Sequence, residues 1–208
     1  MWMRLLLTVL IGYFLGNLNG AFLMYKLFAH EDIRKSGSGN AGLTNFIRNY
    51  GTGRALLVIL IDAGKAVVAC LTGGLLLAPF GFWLEGVMLA GLAVLLGHSF
   101  PALLGFRGGK GILSGLFVAL VADWRIAVIL IAVFAIVYFT TRYVSLGSVL
   151  GAAVFCVCFA LFHTDNLFVV VFGILAGGLV IFMHRGNIVR LIQGNERKTD
   201  LFKKGTNS

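Results

Sequence analysis

The sequence predicts an all-α integral membrane protein: seven transmembrane helices, with three motif-bearing segments on the cytoplasmic side. Three observations lead there. Of the 208 residues, 59% are hydrophobic, and the mean hydropathy is +0.96. Only 12% are charged, about half the share of an ordinary soluble domain. The apolar residues fall into seven runs, to be compared with the roughly 20 residues a membrane helix needs. This composition excludes a soluble globular protein and a disordered one. Little chain is left over for a soluble domain.

The first run covers residues 5–28 and follows Arg4. It is longer than the apolar segment of a signal peptide, so a membrane helix is the preferred assignment. Further runs cover 55–80, 82–97, 112–122, 126–140, 144–162 and 167–183. The fourth is short for a full crossing and needs tilted neighbours, local thinning or a preceding loop that dips into the interface. Glycines recur four apart at Gly12–Gly16–Gly20, Gly147–Gly151 and Gly173–Gly177. In apolar helices this spacing lets backbones approach closely. Packing within one chain is its default explanation. We divide the sequence into one membrane-embedded domain over 1–198 and a polar tail over 199–208.

Seven crossings place the termini on opposite sides, and charge decides which is which. With the N-terminus outside, the inner segments hold 14 of the 17 Lys and Arg residues and the outer segments only Arg4 and Arg125. Lys65 lies within a span, and the outer turns carry Glu85, Asp123 and Asp165. Basic residues concentrate on the cytoplasmic side of membrane proteins, so the C-terminus is expected inside. The net charge of +9 then reflects this bias, anionic lipid and an anionic substrate, with no call for nucleic acid. Cys70, Cys156 and Cys158 all sit in apolar runs. Their number and spacing fit neither a zinc site nor a disulfide framework.

Three inner segments carry polar residues that a membrane frame does not require. The first holds Ser36-Gly-Ser-Gly-Asn-Ala-Gly-Leu-Thr-Asn45 and then Arg48. Its letters match a dinucleotide-binding glycine pattern, but no buried strand precedes it and no βαβ unit follows. Its glycines can still turn backbone N–H groups onto an anion. Ser38, Asn40, Thr44 and Asn45 add neutral donors, and Arg48 adds a fork suited to phosphate. The second segment runs from His98 to Gly111 and contains Arg107-Gly-Gly-Lys110 just before a helix, a credible phosphate cradle. It is not a nucleotide P-loop: the spacing from Gly105 is one short, and Gly111 stands where Ser or Thr would bind magnesium. The third holds His184-Arg-Gly-Asn187, Arg190 and Glu196. Asp62 and Lys65 lie three apart on one helical face within the second run. Intramembrane ionisable residues usually face the protein interior. Mutual neutralisation and support of the site both remain open for this pair.

Together the three segments resemble the bacterial acyl-phosphate:glycerol-3-phosphate acyltransferase family (PlsY-like) over about residues 12–198. The order of the motifs and the hydrophobic frame between them both match. Leu43 departs from the small residue usual before Thr-Asn, and Asn17 and Asn19 stand where the family often has Ser and Pro. The resemblance implies transfer of a fatty acyl group from acyl phosphate to the 1-hydroxyl of sn-glycerol 3-phosphate. The products would be lysophosphatidic acid and phosphate, and the setting the bacterial inner membrane. It further implies that Ser38, Thr44, Asn45, Arg48 and Lys110 bind substrate phosphate, and that His98 and Asn187 orient glycerol phosphate and its attacking hydroxyl. Ser36, Asn40, Arg107 and Glu196 are secondary candidates. No metal or other cofactor is expected. Acyl phosphate is already activated, so the hydroxyl can attack it directly. Either His98 or a phosphate oxygen of a substrate then takes the proton, and the substrate-assisted route is preferred.

Other enzyme classes fit less well. None of the four histidines has Asp five residues later, as a His-x-x-x-x-Asp acyltransferase requires. The aspartate array of a CDP-alcohol transferase is missing. A small anion transporter would explain the basic segments but not why the motifs cluster on one side.

Overall fold

The computed structural model describes residues 1–201, which are helical except for short turns and the motif loops. Ten α-helices follow in order among them. The first apolar run is not one straight helix: α1 (Trp2–Gly16) and α2 (Gly20–Ala29) are separated at residues 17–19. Both asparagines at the break have a local role. The Asn19 side chain caps α2 by accepting from the Phe22 N–H, while Asn17 donates to the Tyr13 carbonyl and accepts from the Leu103 N–H. Polar capping of this kind competes with a continuous helical ladder.

A short amphipathic helix, α3 (Leu43–Tyr50), follows the first motif loop. The longest helix, α4 (Ala55–Leu77), comes next, followed by α5 (Trp83–Ser99), and the two pack against each other and α1. Small residues allow this approach. A Cβ on Gly16 would overlap the backbone of α5 at Val94 and Gly97, and one on Gly73 would overlap the Gly86 carbonyl. The glycine stripe of α1 therefore serves packing within the chain. The remaining apolar helices are α6 (Ile112–Ala122), α7 (Trp124–Thr141), α8 (Val144–Phe162) and α9 (Leu167–Met183). At His184 the chain bends by 57° into α10 (Arg185–Ile192).

One core, including Met88, Val94, Leu95, Val118, Ile126, Phe155 and Phe159, runs through α4–α9. Large apolar side chains such as Leu60, Leu75, Phe139 and Leu161 instead point outward. A polar surface is replaced by a lipid-facing one.

The expected count of seven crossings meets a difficulty at α6. Five helical stretches are long and apolar enough to cross a membrane, and a sixth results if α9 and α10 are one bent span. Helix α6 has 11 residues, about 16 Å at 1.5 Å per residue, or roughly half a bilayer core. The seventh crossing is thus not set by helix length.

Candidate active site

The three motif segments, dispersed over 160 residues of sequence, fold around one cavity of about 920 Å³. Each enters it through the start of a helix. The first motif loop leads into α3, the second into α6 and the third into α10, and Leu43, Ile112 and Arg185 all line the cavity. No described side chain caps any of these three N-termini. Unpaired N–H groups and the positive end of the helix dipole make such termini suited to an anion.

Cations surround them. Arg48, Lys110, Arg185, Arg190 and Arg197 line the cavity, and Glu196 offsets one of those charges. A chain of polar contacts orders the group: the Lys110 ammonium donates to Asn187 Oδ1, Asn187 Nδ2 donates to Glu196 Oε1 at 2.8 Å, and Arg190 Nε lies 2.8 Å from Glu196 Oε2. Burial drives the Lys110 pKa down to about 8, and the Arg190 charge adds to this against the opposing Glu196. Burial works against ionisation of Glu196. Its hydrogen bonds from Asn187 and Arg190 outweigh that, and the carboxyl is held below the usual glutamate range.

Of the residues assigned from sequence, Ser38, Asn40, Thr44, Asn45, Arg48, His98, Lys110, Asn187 and Glu196 all line the cavity. Ser36 and Arg107 do not. The Ser36 hydroxyl accepts from Tyr25, and Arg107 is exposed with its carbonyl accepting from Arg34. Asn45 lines the cavity with its amide already occupied. Its Nδ2 lies within hydrogen-bonding distance of the carbonyls of Ile33, Ser36 and Asn40, and its Oδ1 accepts from the Ser38 N–H. It shapes the loop that presents Ser38.

The structure adds residues that sequence assignment left aside. His184 caps the bend between α9 and α10 with its Nδ1 2.8 Å from the Val180 carbonyl, and it lines the cavity. Arg190 was visible only as part of a motif. Thr199, placed in the polar tail from sequence, is buried: its hydroxyl accepts from Arg48, its N–H donates to the Arg142 carbonyl and its own carbonyl accepts from Tyr138. The packed unit thus continues past residue 198, and the rest of the tail, 202–208, lies outside the described residues. None of the three cysteines lines the cavity. No His, Cys, Asp and Glu cluster suited to a metal occurs among the described residues.

Away from the cations the cavity turns apolar. Leu116 of α6, Leu130 and Phe134 of α7, Gly151 and Phe155 of α8, and Ala176 and Val180 of α9 form a trough. The cavity as a whole, polar end included, is lined along α8 from Val144 and Ser145 to Phe155, about 16 Å at 1.5 Å per residue. Ile131 on its wall is 54% exposed, so part of this lining also borders the apolar outer surface.

An integral membrane protein with a cation-lined chamber suited to an anion, continuous with an apolar lining, is the class these features define. A family model described as glycerol-3-phosphate acyltransferase matches residues 6–194. Relatives named glycerol-3-phosphate acyltransferase include one from Thermoanaerobacter sp. (strain X514), 39% identical over 196 residues (94% of this chain and 96% of that protein). Another, from Gloeobacter violaceus, is 38% identical over 192 residues, covering 90% of this chain and 91% of the relative. The crystal structure of the integral membrane glycerol 3-phosphate acyltransferase PlsY (YgiH) in its glycerol 3-phosphate form superposes with a TM-score of 0.84 at 31% identity, covering 94% of this chain and 96% of that one. Its lysophosphatidic acid form gives 0.80. The chain belongs to the glycerol-3-phosphate acyltransferase family.

Proposed function

We propose that the enzyme holds both of its substrates in this one cavity, with glycerol 3-phosphate in the cationic chamber and the chain of acyl phosphate in the trough. The carrying observation is the continuity of the two regions, because an acyl phosphate needs an anion site and an apolar site at its two ends. The cavity volume of about 920 Å³ lies toward the upper end of the roughly 300–1,000 Å³ usual for ligand sites.

The 1-hydroxyl oxygen of glycerol 3-phosphate attacks the acyl carbonyl carbon. The bond from that carbon to the phosphate oxygen breaks, giving lysophosphatidic acid and inorganic phosphate. The proton from the hydroxyl passes to a phosphate oxygen of a substrate. No covalent acyl-enzyme is required, and the protein supplies proximity and charge stabilisation. Ser38, Thr44, Arg48 and Lys110 bind phosphate together with the N-termini of α3, α6 and α10. Asn187, clamped between Lys110 and Glu196, orients glycerol phosphate. Asn45 acts through the loop it braces, and Asn40 and His184 complete the chamber wall.

The charge distribution supports a multi-pass protein of the bacterial inner membrane, with the N-terminus outside and the C-terminus and all three motifs in the cytoplasm. On this topology α6 is a seventh, short crossing. Purified protein given acyl phosphate and glycerol 3-phosphate is expected to form lysophosphatidic acid and inorganic phosphate in equal amounts. Movement of anions into vesicles with no product formed would support a transporter instead.

A further inference from the structure

The Asp62–Lys65 pair does more than cancel two charges. Both side chains are buried, and Lys65 Nζ lies 2.7 Å from Asp62 Oδ1. The same ammonium lies 2.6 Å from the Leu18 carbonyl and 2.8 Å from His98 Nδ1, with the Gly16 carbonyl at 3.3 Å. Gly16 ends α1 and Leu18 lies in the break after it, so neither carbonyl has a helical partner. An ammonium has three N–H bonds and no lone pair. The three short contacts use all of them, and one is to the ring nitrogen of His98. Asp62 is held in turn, its Oδ1 accepting from the Gly20 N–H at 3.2 Å and its carbonyl from Ser114.

A nitrogen that accepts from an ammonium carries no proton. With Lys65 as the donor, the proton of a neutral His98 is on Nε2, and that edge faces the two glycine loops. A Cβ on Gly109 would overlap Nε2 and crowd the Ala41 carbonyl. The Gly109 N–H donates to the His98 carbonyl at 3.0 Å and the Gly108 N–H to that of Ser99 at 3.2 Å. Asn19 ties the Ala41 carbonyl of the first loop back to the start of α2 at 2.9 Å. His98 thus sits where the first motif, the second motif and the helix break meet.

We infer that Asp62 and Lys65 are positioning residues that fix His98 as an Nε2–H donor, so that its ring braces the two phosphate loops and does not accept the substrate proton. This deepens the proposed site and rests on it. The alternative is that the pair is only a neutralised couple inside the bundle. Replacement of a buried ion pair by neutral residues is often tolerated, so the two accounts separate cleanly.

The test is ¹⁵N NMR of the purified wild-type enzyme labelled at histidine, without substrate. The His98 signals are assigned by elimination with His30→Gln, His163→Gln and His184→Gln. A protonated Nε2 and an unprotonated Nδ1 are expected. A proton on Nδ1, or on both nitrogens, overturns the inference, and does so independently of any activity. The second arm is the neutral double variant Asp62→Asn/Lys65→Met, whose Asn can still accept from Gly20. Where it folds as the wild type does, kcat should fall at least about ten-fold, the effect of one lost hydrogen bond to a charged group, and His98 should populate both tautomers. Wild-type kcat in the folded double variant would show that the pair is only neutralising. Should the variant fail to fold, the wild-type tautomer decides alone.

Discussion

The Lys110 ammonium and the Asn187 side-chain oxygen meet across 77 residues of sequence, joining the glycine loop before α6 to the first turn of α10. That contact holds the one lysine of the second motif against the third motif at the cavity wall.

Lys110→Ala should lower kcat/KM for glycerol 3-phosphate at least about ten-fold. Charge-assisted hydrogen bonds contribute about 1.5–3 kcal/mol when partly shielded from water, and about 1.4 kcal/mol is a factor of ten. Folding should change little, because Lys110 lies in a loop. Lys110→Arg should recover activity only in part, since a planar fork does not replace an ammonium between glycines. Lys26, exposed on α2 away from the cavity, provides the control. Equal kinetics for Lys110→Ala and Lys26→Ala would remove Lys110 from the phosphate site.

The pH dependence has a defined sign. Lys110 is cationic below its pKa of about 8 and loses its charge above it. The free enzyme's titration is reported by kcat/KM, which should therefore decline as pH rises through about 8. In Lys110→Arg the guanidinium keeps its charge, and the decline should disappear. A wild-type profile that stays flat into the ordinary lysine range would contradict the burial of this ammonium.

Gly151 lines the apolar trough, and a Cβ built on it meets open space. Gly151→Leu should therefore fill part of the chain path without disturbing the helix. Each methylene displaced costs about 0.8 kcal/mol, so loss of two or three seats reduces kcat/KM for palmitoyl phosphate by at least about ten-fold. Octanoyl phosphate should be used nearly as well as before. A uniform loss with both donors would place the acyl chain elsewhere.

Topology is open to labelling. In a background with Cys70, Cys156 and Cys158 replaced by Ala, single cysteines at the exposed positions Lys35 and Arg107 should react with an impermeant thiol reagent only from the cytoplasmic side. A cysteine at exposed Asp165 should react only from outside. Reaction of all three from the cytoplasmic side would overturn the crossing assigned to α6, and reaction of Lys35 and Arg107 only from outside would overturn the charge-based orientation.

Much of this architecture was legible because polar residues are conspicuous in so apolar a chain. Helices α4, α5, α7, α8 and α9 fall on their apolar runs, and the three motifs marked residues that do meet in one cavity. Other features depend on tertiary context. The break at Asn17-Leu-Asn19 is short enough to vanish inside a long hydrophobic run, and its importance comes from the carbonyls it offers to Lys65, 47 residues away from Leu18. Asn45 looks in sequence like any other donor near glycines, and only the folded loop shows its amide spent on Ile33, Ser36 and Asn40. Thr199 carries the composition of a solvated tail, yet Arg48, Arg142 and Tyr138 bury it.

Donor choice tests the central claim most directly. The cavity joins a cationic chamber to an apolar lining, matching the two ends of an acyl phosphate. Rates of lysophosphatidic acid formation should be measured with one purified preparation in one detergent, supplying acyl phosphate, acyl-CoA or acylated carrier protein at matched chain length. Rapid turnover with acyl phosphate and little with the other two is the predicted result. Equal or faster turnover with acyl-CoA would contradict direct transfer from acyl phosphate in this site.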